Sequence, residues 1–157
     1  MHSLAIVFPN LYYGGAYSLA PLIFYNIVNQ LPNWSCERKF LDKCEGLKHF
    51  NLIGFTFQYE LDYFNFITIL KNNAIPFAKE QRKEILFAGG PCVTSNPHTL
   101  SRYVDFFVLG DAEENILKIL EMYDGCQDKE TFLDAIAQFP GIFVPGKTKK
   151  LQPATVD

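Results

Sequence analysis

The sequence predicts an α/β domain, a three-layer Rossmann-like fold with a mostly parallel sheet and helices on both faces. Three observations predict it. Short apolar runs recur along the chain, helical patterns separate them, and glycine- or proline-bearing turns close nearly every run. Runs apolar on both faces suit parallel strands covered by helices. Strand alternating with helix implies right-handed crossovers between neighbouring parallel strands.

The elements follow in order. Leu4 to Phe8 is a continuous apolar strand ended by Pro9 and Asn10. After the loop from Asn10 to Gly15, the segment from Leu19 to Leu31 places Leu22, Ile23 and Ile27 on an amphipathic helix that stops at Pro32. Ser35 to Phe40 is a more polar edge strand, and Leu52 to Phe57 is the next buried one. A polar and aromatic loop, Gln58 to Tyr63, leads into a helix through Phe66, Ile67, Ile69 and Leu70 that ends at Asn72 and Asn73. Ile85 to Ala88 is a strand closed by Gly89-Gly90-Pro91, and Asp105 to Leu109 is another closed by Gly110. A helix from Glu113 to Met122 begins with two acids that suit the positive end of its dipole. Thr131 to Phe139 reads as a short helix with Leu133, Ile136 and Ala137 inward, and Gly141 to Pro145 as a last extended segment. The domain therefore spans residues 1–146, and 147–157 form a polar tail or the start of a linker.

Composition excludes several classes. The 157 residues fit one domain, with 48% hydrophobic and 20% charged residues, a globular and not a disordered profile. A net charge of −3 gives no electrostatic reason for a nucleic-acid partner, and Lys147, Lys149 and Lys150 read as a solvated run. No apolar stretch reaches the roughly 20 residues of a membrane span, and the chain starts without a signal-peptide pattern, so a cytoplasmic location is expected. Cys36, Cys44, Cys92 and Cys126 are scattered without a C-x-x-C pair and read as free thiols. The 15 Phe and 8 Tyr are the unusual feature of the composition, and many of them suit the core. Some are expected on a groove or partner face.

In open α/β sheets, ligands bind beyond the carboxyl ends of the strands. Four segments follow predicted strands there: Asn10 to Tyr17, Gln58 to Asn65, Gly89 to Asn96 and Gly110 to Glu114. Each reads two ways. Gly14 and Gly15 are a tight turn or a loop a ligand can approach, though no phosphate-binding fingerprint is present. Glu60 and Asp62 are an acid–base pair, a cap with an exposed neighbour, or binding groups. Gly89-Gly90-Pro91 makes room for a neighbouring element or a flat ligand. Gly110-Asp111 before Glu113-Glu114 is accounted for by a capped helix. No nucleophile elbow is present, so no catalytic residue is expected in this domain.

In register, Phe8-Pro9-Asn10-x-Tyr12-x-x-Gly15, Cys36-Glu37-Arg38-x-Phe40, Gly54-Phe55-Thr56-Phe57-x-Tyr59-Glu60-Leu61-Asp62-Tyr63-x-Asn65, Ile75-Pro76, Gly89-Gly90-Pro91-x-Val93-x-x-Asn96-Pro97, Gly110-Asp111-x-Glu113-Glu114 and Pro140-Gly141-Ile142-Phe143-Val144-Pro145 resemble the N-terminal region of radical S-adenosylmethionine proteins that carry a cobalamin-binding-like domain before a catalytic barrel. The resemblance implies a cobalamin-binding-type, flavodoxin-like sheet. It implies contacts to cobalamin from Asn10, Tyr12, Gly14, Gly15, Tyr59, Glu60, Asp62, Gly89, Gly90, Pro91 and Gly110. It also implies a partner in cis, a catalytic domain in which a 4Fe-4S cluster and S-adenosylmethionine bind at a three-cysteine motif absent from this chain. Cobalamin domains with Asp-x-His-x-x-Gly after the first strand use the histidine as lower cobalt ligand; here Asn10, Tyr12 and Gly15 stand in those places, so cobalamin would bind without a histidine. His98-Thr99 departs from the family's Glu-Pro after Asn-Pro. The second reading is a cofactor-free module whose aromatic rim docks on the catalytic barrel. A flavin carrier is a third, against which the absence of a Ser/Thr-rich phosphate cradle speaks.

Overall fold

The computed structural model describes residues 1–151, and of Glu114 only the backbone. Residues 152–157, the end of the expected tail, lie outside the described residues. Six strands form one sheet in the order β2-β1-β3-β4-β5-β6, with β1 His2–Phe8, β2 Trp34–Phe40, β3 Leu52–Thr56, β4 Ile85–Gly89, β5 Phe106–Val108 and β6 Ile142–Phe143. The first five are mutually parallel and β6 runs antiparallel to β5. The α/β, mostly parallel architecture is thus as the sequence predicts. Strand order reverses between β1 and β3, the place where this sheet topology opens a crevice.

The strands alternate sharply between two cores. Leu4, Ile6, Leu52, Ile85, Phe87, Phe106 and Val108 face one side, under α2 Leu19–Val28, α5 Glu113–Gly125 and α6 Lys129–Ile136. Ala5, Val7, Ile53, Phe55, Leu86, Ala88 and Phe107 face the other, under α3 Asp62–Asn72 and α4 Pro91–Ser95. Every one of these strand residues is at least nine-tenths buried. This is why the strands read as unbroken apolar runs instead of alternating ones.

Some boundaries move for visible reasons. β1 starts two residues before Leu4 because His2 and Ser3 pair with Trp34 and Ser35. α2 stops at Val28, short of Pro32, because Asn29 intervenes. Its amide donates to the Tyr25 and Cys36 carbonyls while its carbonyl oxygen accepts from the Cys36 amide. One side chain therefore ends a helix and caps part of an edge strand. α5 runs on to Gly125 past the expected Met122, and α6 begins at Lys129, where Asp128 caps the Thr131 amide. The loop after β1 contains a helical turn, α1 Tyr12–Gly15, and the segment after β4 forms α4, where the sequence pattern predicts only loops. Of the polar end, Lys147 pairs with Glu130 and Asp134, and the Thr148 hydroxyl accepts from the Val144 amide.

At the amino end of β5, away from the carboxyl-end crevice, Asp105 ties the chain together. One carboxylate oxygen accepts from Arg82 Nη2 at 2.9 Å and from the Leu86 amide at 2.8 Å, and the other lies 2.8 Å from Lys129 Nζ. Lys129 also donates to the Arg82 and Glu84 carbonyls. The knot joins the approach to β4, the start of β5 and α6. Removing one member leaves a buried charge without its partner, which costs about 3–5 kcal/mol. Asp105→Ala should lower the unfolding free energy by about that amount, measured as a shift in the urea midpoint at unchanged slope.

Candidate functional site

Four loops meet at the carboxyl ends of β1, β3, β4 and β5, and the structure divides the expected site residues among them. Gly89, Gly90, Pro91 and Gly110 line one cavity of about 180 Å³. It lies on the α2 and α5 side of the sheet, with Ile6, Phe87 and Val108 as apolar walls and Thr56 and Gln58 at its polar end. The phenyl ring of Phe87 fills the space over Gly54, where an added Cβ would come within 2.3 Å of it, so Gly54 lets the ring form the wall.

Gly90 has a φ of +103°, and a Cβ there would stand 2.5 Å from the Phe57 carbonyl oxygen. Of the two readings of this glycine pair, Gly90 realises the close passage of a neighbouring element. Gly89 joins the same seam, its carbonyl accepting from the Phe57 amide at 2.9 Å. Gly110, also at positive φ, donates its amide to the Thr94 hydroxyl and so holds the mouth of the cavity against α4.

The other expected residues lie nearer the β1–β3 crevice. Asn10 Nδ2 donates to the Tyr59 hydroxyl at 3.1 Å, joining the loops on either side of the strand reversal. Asn65 Nδ2 reinforces the join by donating to the Pro9 carbonyl. Gly14 is open, with nothing near a would-be Cβ, whereas Gly15 is packed so tightly on Phe8 that a Cβ would lie 2.4 Å from the ring. Tyr12 turns toward the sheet edge and meets Phe40 edge-on at 5.0 Å. Glu60 is exposed.

Asp62 is wholly buried. Its Oδ2 accepts from the Gln58 amide at 3.0 Å, folding the β3 loop back on the start of α3, while Oδ1 has no hydrogen-bond partner. Burial pushes its carboxyl above the ordinary aspartate value, against the opposing hydrogen bonds from the Gln58 and Tyr59 amides. Glu60 and Asp62 thus differ in environment, one solvated and one a loop fastener. Burial also pushes the Cys36 and Cys44 thiols up to about 12, so both stay protonated at neutral pH.

Sequence reasoning missed Thr56. It sits at the end of β3, nearly fully buried, with an unpaired hydroxyl at a polar end of the cavity. A buried hydroxyl without a partner costs about 1–3 kcal/mol and is rare in native interiors. A lone polar residue closing an otherwise apolar strand was the available signal. The rim also carries Leu11, Tyr13, Tyr17, Leu61 and Phe64 in exposed positions, Tyr13 and Tyr17 at more than nine-tenths. Among the described residues no helix is long and apolar enough to cross a membrane.

A sheet of this order, mostly parallel with helices on both faces, defines a Rossmann-like α/β domain, and comparison with known proteins gives it a family. The family model described as "Radical SAM proteins, N-terminal" matches residues 40–145, and the chain belongs to that family. It is 32% identical over 120 residues to the uncharacterized protein MJ0966 of Methanocaldococcus jannaschii, covering 75% of this chain and 26% of that protein. Among solved structures it is similar in fold to the radical S-adenosylmethionine methyltransferase TsrM from Kitasatospora setae, solved with tryptophan substrate and a SAM analog, at a TM-score of 0.60 and 16% identity. That likeness covers 99% of this chain and 31% of the enzyme. The chain thus spans about a quarter to a third of the length of these two proteins.

Two substitutions separate the costs built into this rim. Thr56→Val keeps the shape and removes the unpaired hydroxyl, so it should leave stability unchanged or raise it by about 1 kcal/mol, measured by urea unfolding. Asp62→Asn keeps an acceptor for Gln58. The raised folded value of Asp62 favours folding fully below the ordinary value of 3.8, and that contribution is lost as pH rises through the folded value. The wild type should therefore lose stability relative to Asp62→Asn over that rise, as followed by unfolding midpoints from pH 3.5 to 7.

Proposed function

We propose that this domain holds cobalamin at the carboxyl rim of its sheet, without a protein histidine on cobalt, as the accessory N-terminal part of a radical S-adenosylmethionine protein. The observation that carries the reading is the cavity beside Gly89, Gly90 and Gly110, with the unpaired Thr56 hydroxyl buried in it. Its apolar walls and single unmet polar group suit one flat heterocycle such as the nucleotide base of cobalamin. The corrin macrocycle is too large for it and belongs on the rim outside.

The residues divide the work accordingly. Thr56 hydrogen-bonds the base, and Phe87, Ile6 and Val108 exclude water from it. Gly89, Gly90, Pro91 and Gly110 form the mouth through which the tail passes, and Asn10, Gly14, Tyr59 and Glu60 border the corrin. Gly15 and Asp62 shape their loops, and Tyr12 stands where a cobalt-ligating histidine is found in other cobalamin domains. When bound, cobalamin supplies a cobalt centre that carries a transferable alkyl group. The 4Fe-4S cluster, S-adenosylmethionine and the radical step belong to a catalytic domain in cis, and this domain contributes no catalytic residue.

A second reading rests on a separate observation, the exposed Leu11, Tyr13, Tyr17, Leu61 and Phe64. An apolar rim of this kind suits a cofactor-free module that docks on the catalytic barrel. Titration with hydroxocobalamin distinguishes the two. The cobalamin reading expects a saturable change in the visible spectrum, with Thr56→Val weakening binding about three- to tenfold through one lost hydrogen bond. No spectral change and no retained corrinoid after gel filtration would leave the docking reading in its place.

A further inference from the structure

The end of β2 and the turn after it lie outside the expected site, yet together they make four contacts with the loop that carries Asn10 and Tyr12. Leu41 donates its amide to the Asn10 carbonyl at 2.9 Å. Asp42 Oδ1 accepts from the Tyr12 amide at 2.8 Å. This meets an amide that α1 cannot satisfy itself, since no side chain at Leu11 caps it. Lys43 Nζ stands 4.4 Å from the centre of the Tyr12 ring, and the Phe40 ring packs on it nearly at right angles, centroids 5.0 Å apart. Phe40 and Lys43 are themselves joined across the turn by paired backbone hydrogen bonds.

All of these contacts lie on the β2 side of β1, whereas the crevice opens on the β3 side. Tyr12 is thus held at its amide by Asp42 and at its ring by Lys43 and by Phe40, the residue of β2 that leads into the turn. We infer that Asp42 and Lys43 are positioning residues of the candidate site, holding the side chain at position 12 against the sheet edge and away from the β1–β3 crevice. Cobalt is then denied a protein ligand by more than the identity of residue 12. A histidine placed there would be drawn to the same edge. The inference rests on the cobalamin reading for its spectroscopic consequence, but the hold on position 12 exists without it.

The test has one arm for each. In the cobalamin-free chain, the Tyr12 amide should exchange with deuterium at least tenfold faster in Asp42→Ala than in the wild type; an unchanged rate overturns the hold. In chain loaded with cobalamin and reduced to cobalt(II), electron paramagnetic resonance with ¹⁵N-histidine labelling reports whether a protein nitrogen sits on cobalt. Tyr12→His alone should show no ¹⁵N splitting, and Tyr12→His with Asp42→Ala and Lys43→Ala should show it. Splitting in the single variant, or none in the triple variant, overturns the inference. Both side chains at the turn are exposed, so the variants leave the core untouched. If no form of the chain takes up cobalamin, the proposed function fails, and the exchange arm alone decides the hold on Tyr12.

Discussion

The close approach of Gly90 to the backbone of Phe57 is the constraint on which the rim depends. β3 and β4 are central strands, and their carboxyl ends must stay together for a cavity to open beside them. The Phe57 amide reaches the Gly89 carbonyl, and Gly90 passes where a side chain would strike the Phe57 carbonyl oxygen. That seam ends β4, starts α4 at Pro91, and brings Thr94 to the Gly110 amide. One backbone conformation open mainly to glycine therefore fixes the relative placement of three of the four rim loops.

The two faces of the sheet serve different ends. The α3 and α4 side is closed by stacked and edge-on phenylalanines, Phe55, Phe57 and Phe66, and leaves its carboxyl rim packed. On the α2 and α5 side, the Phe87 ring lies on Gly54 as one wall of a cavity that Ala20 also lines, and Thr56 is buried against it without a partner. An unmet hydroxyl is a standing cost to folding, and such costs gather where a ligand is to be held. The amino end of β5 carries the inverse arrangement, a buried carboxylate met by Arg82, Lys129 and the Leu86 amide.

Much of this was legible in the residues. Apolar runs such as Leu4 to Phe8 and Ile85 to Ala88 give strands because burial on both faces removes polar alternation. Glycine, proline and acidic starts mark where those strands end and helices begin. Helix ends were less legible, because Asn29 stops α2 through bonds to a strand seven residues away. The short turns α1 and α4 were hidden for a similar reason. They are held by Asp42 and by the Phe57 seam, which are distant in sequence from the segments they shape.

The sequence by itself determined the α/β class, the parallel core and the gathering of four loops at one rim, since strand direction and right-handed crossovers leave little choice. Only the tertiary structure decided which rim residues share a cavity, that Thr56 is among them, and that Asp62 is a buried fastener while Glu60 is free in solvent. It also decided that Tyr12 faces the sheet edge. These outcomes depend on contacts between segments tens of residues apart, and local pattern carries no record of which side of a loop such a contact will come from.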